Sequence, residues 1–209
     1  MSMKMGIRHH AVLYALIVKY IFKYILTDPE KTIEDLTHTY GLKRGRRMKE
    51  LSIENNEPLN IDAFLVHGEW AGEKDENLSL LSHDDDNTYS TVGKCAWYDY
   101  WKKYDLLEYG TYYCHYIDKA ICEGYEGDFG LKLEKAIGFG DEKCQFVWNR
   151  SFNEEYLKSH PKKWTLPFDF HCRELYTTAY EILDESIRDK ILKDVNDEFC
   201  RIFKINLSE

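Results

Sequence analysis

The sequence predicts an α+β fold with a central antiparallel sheet. Three observations lead to this prediction: helical patterns fill the N-terminal quarter, alternating segments flank one helix in the middle, and a long helical pattern follows them. We expect one domain over residues 1–209, with a helical part at 1–55, an α+β ligand-binding core at 56–160 and a C-terminal helix at 161–209. A chain of 209 residues is long enough to bury a substantial core.

The first predicted helix covers residues 8–26 and is strongly apolar from Ala11 to Leu26. Lys19 and Lys23 lie four residues apart, on one stripe of this helix. The apolar stretch is short for a membrane span and contains both cations. We therefore expect a largely buried helix with one solvated edge.

The second predicted helix covers about 29–40, because Asp28 suits an N-cap and Pro29 suits the first helical position. Gly41 is expected to end this helix. Residues 42–52 are expected to form a further turn or short helix.

Alternation in the middle of the chain predicts strands on both sides of one helix that carries Cys114. The predicted strands cover 61–65, 89–101, 131–136 and 145–152, and the helix covers 111–125. The polar residues from 71 to 90 are expected to include a solvated loop at His83–Asn87. The last helix is predicted over 169–204, with a break near Ser186.

The composition narrows the partners and the compartment. The formal charge of −9 disfavours a nucleic-acid partner. The six cysteines are widely spaced and no cleavable secretion signal is found, so we expect reduced thiols in a cytoplasmic protein. Phosphate-cradling and dinucleotide-binding motifs are absent. We expect a small-molecule substrate, no cofactor and no membrane partner, and the sequence leaves a homo-oligomer open.

The strongest candidate for chemistry is a thiol and a carboxylate on the predicted helix 111–125. Cys114 and Asp118 are four residues apart, so both project from one face. The carboxylate can hold the nitrogens of an amidine-like substrate while the thiolate, or a water, attacks the central carbon. A buried core thiol beside a hydrogen-bonded aspartate is the alternative, and the spacing alone leaves both open.

Three further elements carry candidate residues. His171 lies on an apolar helical stripe and is either a core histidine or a general acid–base. Cys144 alternates with large apolar residues and is either core or pocket lining, while Asp141 belongs to the turn before it. The basic run from Lys43 to Arg47 is either a solvated turn or the source of an arginine that clamps a substrate carboxylate.

Taken in order along the chain, these elements resemble the L-2-amino-thiazoline-4-carboxylic acid hydrolase family. The matching pieces are Tyr40-Gly41 with Arg44 to Met48, Cys95, Gly110 with Tyr113-Cys114 and Asp118, Gly140-Asp141 with Cys144 and Phe146, and His171-Cys172 with Leu175-Tyr176. Together they span residues 8–204 and nearly the whole chain.

The resemblance implies a hydrolase in which water adds to the C2 carbon of a cyclic isothiourea and the ring opens. It implies that Asp118 holds the amidine nitrogens, and that Cys114 is the nucleophile or lines the site while His171 activates water. The implied substrate-binding residues are Arg44, Arg46, Cys95, Tyr113, Asp141 and Cys144. No residue is assigned as a metal ligand.

The segment from Cys95 to Trp148 also resembles small-molecule-binding domains of the vinyl-reductase type, which pair a Cys-bearing helix with a Cys-bearing hairpin. This resemblance implies an alternative function, a non-catalytic binding or sensory domain. It keeps open a thiolate metal site drawn from Cys114, Cys144, Glu134 or His171. A stoichiometric metal would favour this alternative, and turnover would favour the enzyme.

Overall fold

The computed structural model describes residues 5–72, 76–127, 129–160 and 165–207. It confirms the predicted α+β class, with helices and one four-stranded antiparallel sheet. The helices are α1 (Ile7–Tyr24), α2 (Pro29–Glu54), α3 (Ile61–Val66), α4 (Ala96–Lys103), α5 (Leu107–Gly110), α6 (Tyr112–Tyr125), α7 (Glu154–Ser159), α8 (Phe168–Ile182) and α9 (Glu185–Phe203). The strands are β1 (Leu78–His83), β2 (Thr88–Lys94), β3 (Lys132–Lys135) and β4 (Cys144–Trp148).

The contacts within the chain divide it into two compact units. The first unit comprises Met1–Tyr40, Ala96–Tyr116 and Pro167–Glu209. The second unit comprises Gly41–Cys95 and Ile117–Leu166. Helices α2 and α6 therefore contribute residues to both units.

The core of the first unit is built around α1, which contacts α4, α5, α8 and α9. Lys19 and Lys23 lie on its solvated edge, where their Nζ atoms pair with Glu198 at 2.8 Å and Asp194 at 3.0 Å on α9. The prediction of a largely buried helix with one solvated edge is thus confirmed. Within the described residues, no helix combines the length and the apolarity needed to cross a membrane.

The second unit contains the sheet, in the strand order β1-β2-β4-β3. Every neighbouring pair is antiparallel, and β3 and β4 form the predicted hairpin. A buried apolar cluster contains residues of α3, α6, β4 and the segment after it: Ile61, Cys122, Trp148 and Phe152. The helix α6 also matches the prediction of a helix over 111–125.

Helix α2 runs through Gly41, so the predicted end of the helix at this residue is wrong. The glycine serves close packing instead. A Cβ atom on Gly41 would lie 2.5 Å from the Ala120 Cβ, and one on Gly45 would lie 2.1 Å from the Ile121 carbonyl oxygen. The two glycines let the backbones of α2 and α6 approach within the second unit, a role that the local sequence does not reveal.

One predicted strand is wrong and another is too long. A short apolar run such as 61–65 satisfies both periodicities. Residues 61–65 form α3, which Asn60 caps by accepting a hydrogen bond from the Ala63 N–H at 3.2 Å. The predicted strand 89–101 ends as β2 at Lys94, and α4 follows after Cys95.

The polar segment from 71 to 90 is not loop throughout, since β1 and the start of β2 lie in it. Between them, Asp84 Oδ1 accepts hydrogen bonds from the Asp86 and Asn87 N–H groups at 2.9 and 2.8 Å, which makes the predicted loop a tight turn. The predicted break in the last helix is confirmed. It lies at Leu183–Asp184, and the Asp184 side chain caps α9.

Candidate functional site

The predicted site residues are divided between the two units. Those in the first unit are Tyr113, Cys114 and His171. Those in the second unit are Arg44, Arg46, Cys95, Asp118, Asp141 and Cys144. Cys114 and Asp118 lie on α6, as predicted, but they fall on different sides of this division.

A buried ion cluster lies in the second unit. Arg44 Nε donates to Glu69 Oε2 at 3.0 Å, and Arg47 Nε donates to Glu69 Oε1 at 2.8 Å. The Glu69 side chain has no exposed surface, and that of Arg44 is 6% exposed. Two residues of the basic run therefore turn inward, whereas Arg46 is exposed. Both inward guanidinium groups bond the same buried carboxylate.

Glu69, the centre of this cluster, is not among the site residues predicted from the sequence. Its backbone is left-handed, with φ 43°, a conformation that costs a non-glycine residue about 1 kcal/mol or more. Its carbonyl accepts a hydrogen bond from the Leu166 N–H at 2.7 Å. Glu69 lies more than twenty residues from either arginine along the chain, so local sequence spacing does not predict the contact.

Asp118 is partly buried in the second unit and has no hydrogen bond or ion pair with any described residue. Burial raises the pKa of its carboxyl to about 6, and the nearby Arg44 cation opposes this rise only in part. A carboxyl with such a pKa changes its protonation state close to neutral pH. The predicted alternative, an aspartate satisfied by hydrogen bonds beside a core thiol, does not describe this side chain.

Cys144 is buried at the start of β4. Its pKa is raised by burial, and the Asp118 and Asp141 carboxylates raise it further. The thiol therefore stays protonated at neutral pH, and its Sγ accepts a hydrogen bond from the Ile137 N–H at 3.4 Å. Asp141 is exposed and accepts from the Ala136 N–H at 2.8 Å, so it stabilises the turn before β4.

In the first unit, His10 lies at the centre of a buried hydrogen-bonded chain. Trp97 Nε1 donates to His10 Nδ1 at 3.1 Å, because an indole nitrogen can only donate. His10 Nε2 then carries the hydrogen and donates to the Tyr40 hydroxyl at 3.0 Å. The Tyr40 hydroxyl donates in turn to the His171 carbonyl oxygen at 3.4 Å. This sequence of donors keeps His10 neutral and in one tautomer.

The predicted site residues of the first unit are His171, Tyr113 and Cys114. His171 is buried on α8, with its ring 5.6 Å from the Phe168 ring. Tyr113 is buried, with its ring 5.7 Å from that of His10, and the adjacent Cys114 is partly buried. All six cysteines are free, as predicted. Among the described residues, no group of three or more His, Cys, Asp or Glu side chains could hold a metal ion.

A cleft of about 660 Å³ opens in the second unit. Its polar wall includes Asn60, Asp62, Glu126, Asn149, Arg150 and Ser151. None of the described residues that line it belongs to the predicted site, so the sequence did not point to this cleft.

Comparison with known proteins matches the chain to a family model, while no curated protein and no solved structure matches it. Residues 5–148 match the model of a protein family described as L-2-amino-thiazoline-4-carboxylic acid hydrolase. The matched range includes Arg44, Cys114, Asp118 and Cys144 but ends before His171. Because more than half of the residues are matched, the chain belongs to the L-2-amino-thiazoline-4-carboxylic acid hydrolase family.

Proposed function

We propose that this chain hydrolyses a small cyclic amidine-like compound of the L-2-amino-thiazoline-4-carboxylate type, with Asp118 as the group that binds the amidine. Family membership supports the reaction class. The observation that carries the proposal is the state of Asp118, a partly buried carboxyl with a pKa of about 6 and no hydrogen-bonding partner among the described residues. Carboxyl groups held in this way are characteristic of sites that bind cations or move protons.

The environment that raises the pKa of Asp118 also favours the binding of an amidinium. The buried carboxylate lacks the hydrogen bonds that water would supply, and an amidinium offers two parallel N–H groups to its two oxygens. Binding the cationic substrate therefore offsets a desolvation cost that the free protein carries. Arg44 is too fully engaged with Glu69 to neutralise Asp118 by itself.

The reaction requires proton transfers that Asp118 can carry out at neutral pH. The oxygen of a water bonds to C2, one of its protons passes to the ring nitrogen, the C2–S bond breaks and the sulfur leaves as a thiol. The product is N-carbamoyl-cysteine. A carboxyl with a pKa of about 6 accepts and returns a proton readily near pH 7.

Cys114 and His171 stay predictions that the family resemblance implies, with Cys114 as nucleophile or site lining and His171 as the residue that activates water. The protonated Cys144 thiol suits a lining role better than a nucleophilic one. Arg44 or Arg46 meets the substrate carboxylate, and the exposed Arg46 has the freer guanidinium.

The test is turnover of L-2-amino-thiazoline-4-carboxylate by the full chain, with N-carbamoyl-cysteine measured by mass spectrometry. We expect Asp118→Asn to lower kcat/KM by about 100-fold or more, and kcat/KM of the unmodified chain to rise with pH through about 6. Asp197→Asn, which alters an exposed carboxylate on α9, is the control. Cys114→Ser and His171→Gln in the same assay separate the nucleophile from the base.

Two outcomes would contradict the proposal in different ways. Turnover that survives Asp118→Asn would remove Asp118 from the mechanism and leave the reaction class standing. An absence of turnover, together with a stoichiometric metal or a co-purified ligand, would favour the non-catalytic binding domain.

A further inference from the structure

The 660 Å³ cleft of the second unit joins three segments of the chain. The described residues that line it come from 59–62 at the start of α3, from the turn after α6, and from 149–151 after β4. Its volume is in the range of sites that hold small molecules. Asp118 is not among these residues, so the cleft is distinct from the site proposed above.

Hydrogen bonds and close packing hold the three segments together. The Asn149 N–H donates to the Phe129 carbonyl oxygen at 3.1 Å, and the Asn153 N–H donates to Asp62 Oδ1 at 2.6 Å. Gly130 packs so closely that an added Cβ atom would lie 2.8 Å from the Asn149 Nδ2 atom. The cleft is therefore formed without a ligand, which lowers the entropy cost of binding one.

Two groups of opposite charge lie on the cleft wall. The Arg150 guanidinium is exposed, and its Nη1 donates to the Asn149 carbonyl oxygen at 3.1 Å. Asp62 Oδ2 accepts from the Asn60 side-chain amide at the long distance of 3.4 Å. Among the described residues, neither Arg150 nor Asp62 has an ion-pair partner. The remaining guanidinium N–H groups and Asp62 Oδ2 are thus available to a ligand.

The third charged residue of this wall is already engaged. Glu126 Oε2 accepts from Lys49 Nζ at 2.5 Å. A cationic ligand at Glu126 would compete with Lys49, whereas one at Asp62 would displace no ion-pair partner among the described residues. Asp62 is therefore the better partner for a cationic group of the ligand.

The rest of the lining includes an apolar surface. Ile61 is buried, and Leu59 and Phe129 are partly buried where they line the cleft. Such a surface favours the transfer of an aliphatic group from water. The cleft thus presents a cationic group, an anionic group and an apolar surface to one ligand.

We propose that the cleft binds a free α-amino acid with an aliphatic side chain. Arg150 binds the carboxylate as a bidentate pair, and Asp62 Oδ2 accepts a hydrogen bond from the ammonium group. The aliphatic side chain lies against the apolar surface. A ligand that carries both charges gives each wall group a partner, whereas a simple carboxylate or a simple amine leaves one wall group without a partner.

The experiment is isothermal titration calorimetry of the full chain at neutral pH, with L-leucine as the probe. We expect saturable binding with a Kd of about 1 mM or below. Two matched compounds each lack one charge of leucine: 4-methylpentanoate lacks the ammonium group, and 3-methylbutylamine lacks the carboxylate. Each should bind at least about ten-fold more weakly than leucine, because one charge-assisted hydrogen-bonded contact is lost.

Two variants test the wall groups one at a time. Arg150→Met and Asp62→Asn should each raise the Kd for leucine by about ten-fold or more. The asparagine keeps the oxygen that accepts from the Asn153 N–H and removes the negative charge. Arg173→Met, which removes an exposed arginine of the first unit, is the matched control and should leave the Kd unchanged. Arg150 is also exposed, so its variant should fold, which circular dichroism checks.

Three results would overturn the proposal. The first is the absence of saturable leucine binding up to about 10 mM, and the second is an unchanged Kd in Arg150→Met. The third is equal affinity for leucine and 4-methylpentanoate, which would exclude recognition of the ammonium group. Asp118→Asn should leave leucine binding unchanged, so the cleft and the proposed hydrolase site can fail independently. Leucine binding that is lost in Asp118→Asn and kept in Arg150→Met would place leucine at Asp118 and refute the cleft.

Discussion

The two units treat their buried polar groups differently. In the first unit, Trp97, His10 and Tyr40 form a continuous series of hydrogen bonds, whereas the buried His9 Nε2 has no hydrogen-bond partner among the described residues. Burial lowers the pKa of His9 to about 4, so the unpartnered nitrogen belongs to a neutral ring. In the second unit, the partly buried Asp118 carboxyl has no hydrogen bond to a described residue, and its pKa is about 6.

The unpartnered His9 nitrogen and the unpartnered Asp118 carboxyl differ in the chemistry that they offer. An unpartnered neutral group costs stability at every pH and offers no chemistry that changes near pH 7. An unpartnered carboxyl costs most stability when it is ionised, and the ion is then available to a cationic ligand. The second unit is therefore the better candidate for the reaction.

The units also differ in how their helices pack. Around α1, the first unit packs aromatic rings, such as Tyr14 against Tyr113 at 4.8 Å. In the second unit, glycines of α2 bring the helix backbones of α2 and α6 together. Aromatic side chains fill the space between helices in the first unit. In the second unit, the missing side chains of the α2 glycines let α2 and α6 approach closely.

The largest effect on stability is expected for Glu69→Gln in the second unit. The change leaves the Arg44 and Arg47 cations around a buried position that no longer carries a charge. We expect the free energy of unfolding to fall by about 3–5 kcal/mol in urea denaturation. The control is Glu126→Gln, which breaks an exposed pair with Lys49 and should cost about 1 kcal/mol or less. Equal losses in both variants would contradict a larger contribution of the buried ion cluster to the free energy of unfolding.

The next effect is expected for Gly45→Ala, which tests the packing of α2 against α6. The new Cβ would meet the Ile121 carbonyl oxygen at 2.1 Å, and backbone cannot move aside as a flexible side chain would. We expect a loss of about 3 kcal/mol in the free energy of unfolding. Gly93→Ala, where nothing lies within 4 Å of the added atom, is the matched control. If the two glycine variants unfold alike, the close approach of the helices is refuted.

Asp118→Asn is expected to act in the opposite direction and to stabilise the chain. The folded pKa of about 6 exceeds the ordinary value of 3.8, so the folded protein binds more protons than the unfolded chain between these pH values. The free energy of unfolding of the unmodified chain should therefore fall as pH rises through this window and then level off. At neutral pH, the asparagine should add about 1–3 kcal/mol while turnover is lost. A destabilised variant would mean that the carboxylate has a favourable partner in the folded protein.

The smallest effect is expected for Tyr40→Phe in the first unit. The variant removes the hydroxyl that accepts from His10 Nε2, and leaves that donor buried. We expect a loss of about 1–2 kcal/mol in thermal or urea unfolding. Tyr180→Phe, at a half-exposed ring, should change stability by less than about 0.5 kcal/mol. Nitrogen NMR of His10 at neutral pH offers a direct check, because the series of donors requires the Nε2–H tautomer.

The sequence by itself determined the features that depend on local periodicity and local chemistry. The buried helix α1 with its lysine edge, the Cys114–Asp118 helix α6, the β3–β4 hairpin and the break before α9 were all predicted. The family was also recognisable, since its motifs are ordered along the chain, and the match to residues 5–148 confirms it. Where local patterns were ambiguous, as in the short apolar run of α3, the prediction failed.

Only the tertiary structure decided which of these residues are chemically unusual. The pairing of Glu69 with Arg44 joins segments far apart in the chain, and no spacing rule reports such a contact. The pKa of Asp118 depends on how much water and how many partners the fold leaves to its carboxyl. Gly41 suited a helix end by local rules, yet it serves the approach of α6. Desolvation and close packing are properties of the assembled fold, because they arise from neighbours that the chain brings together only on folding.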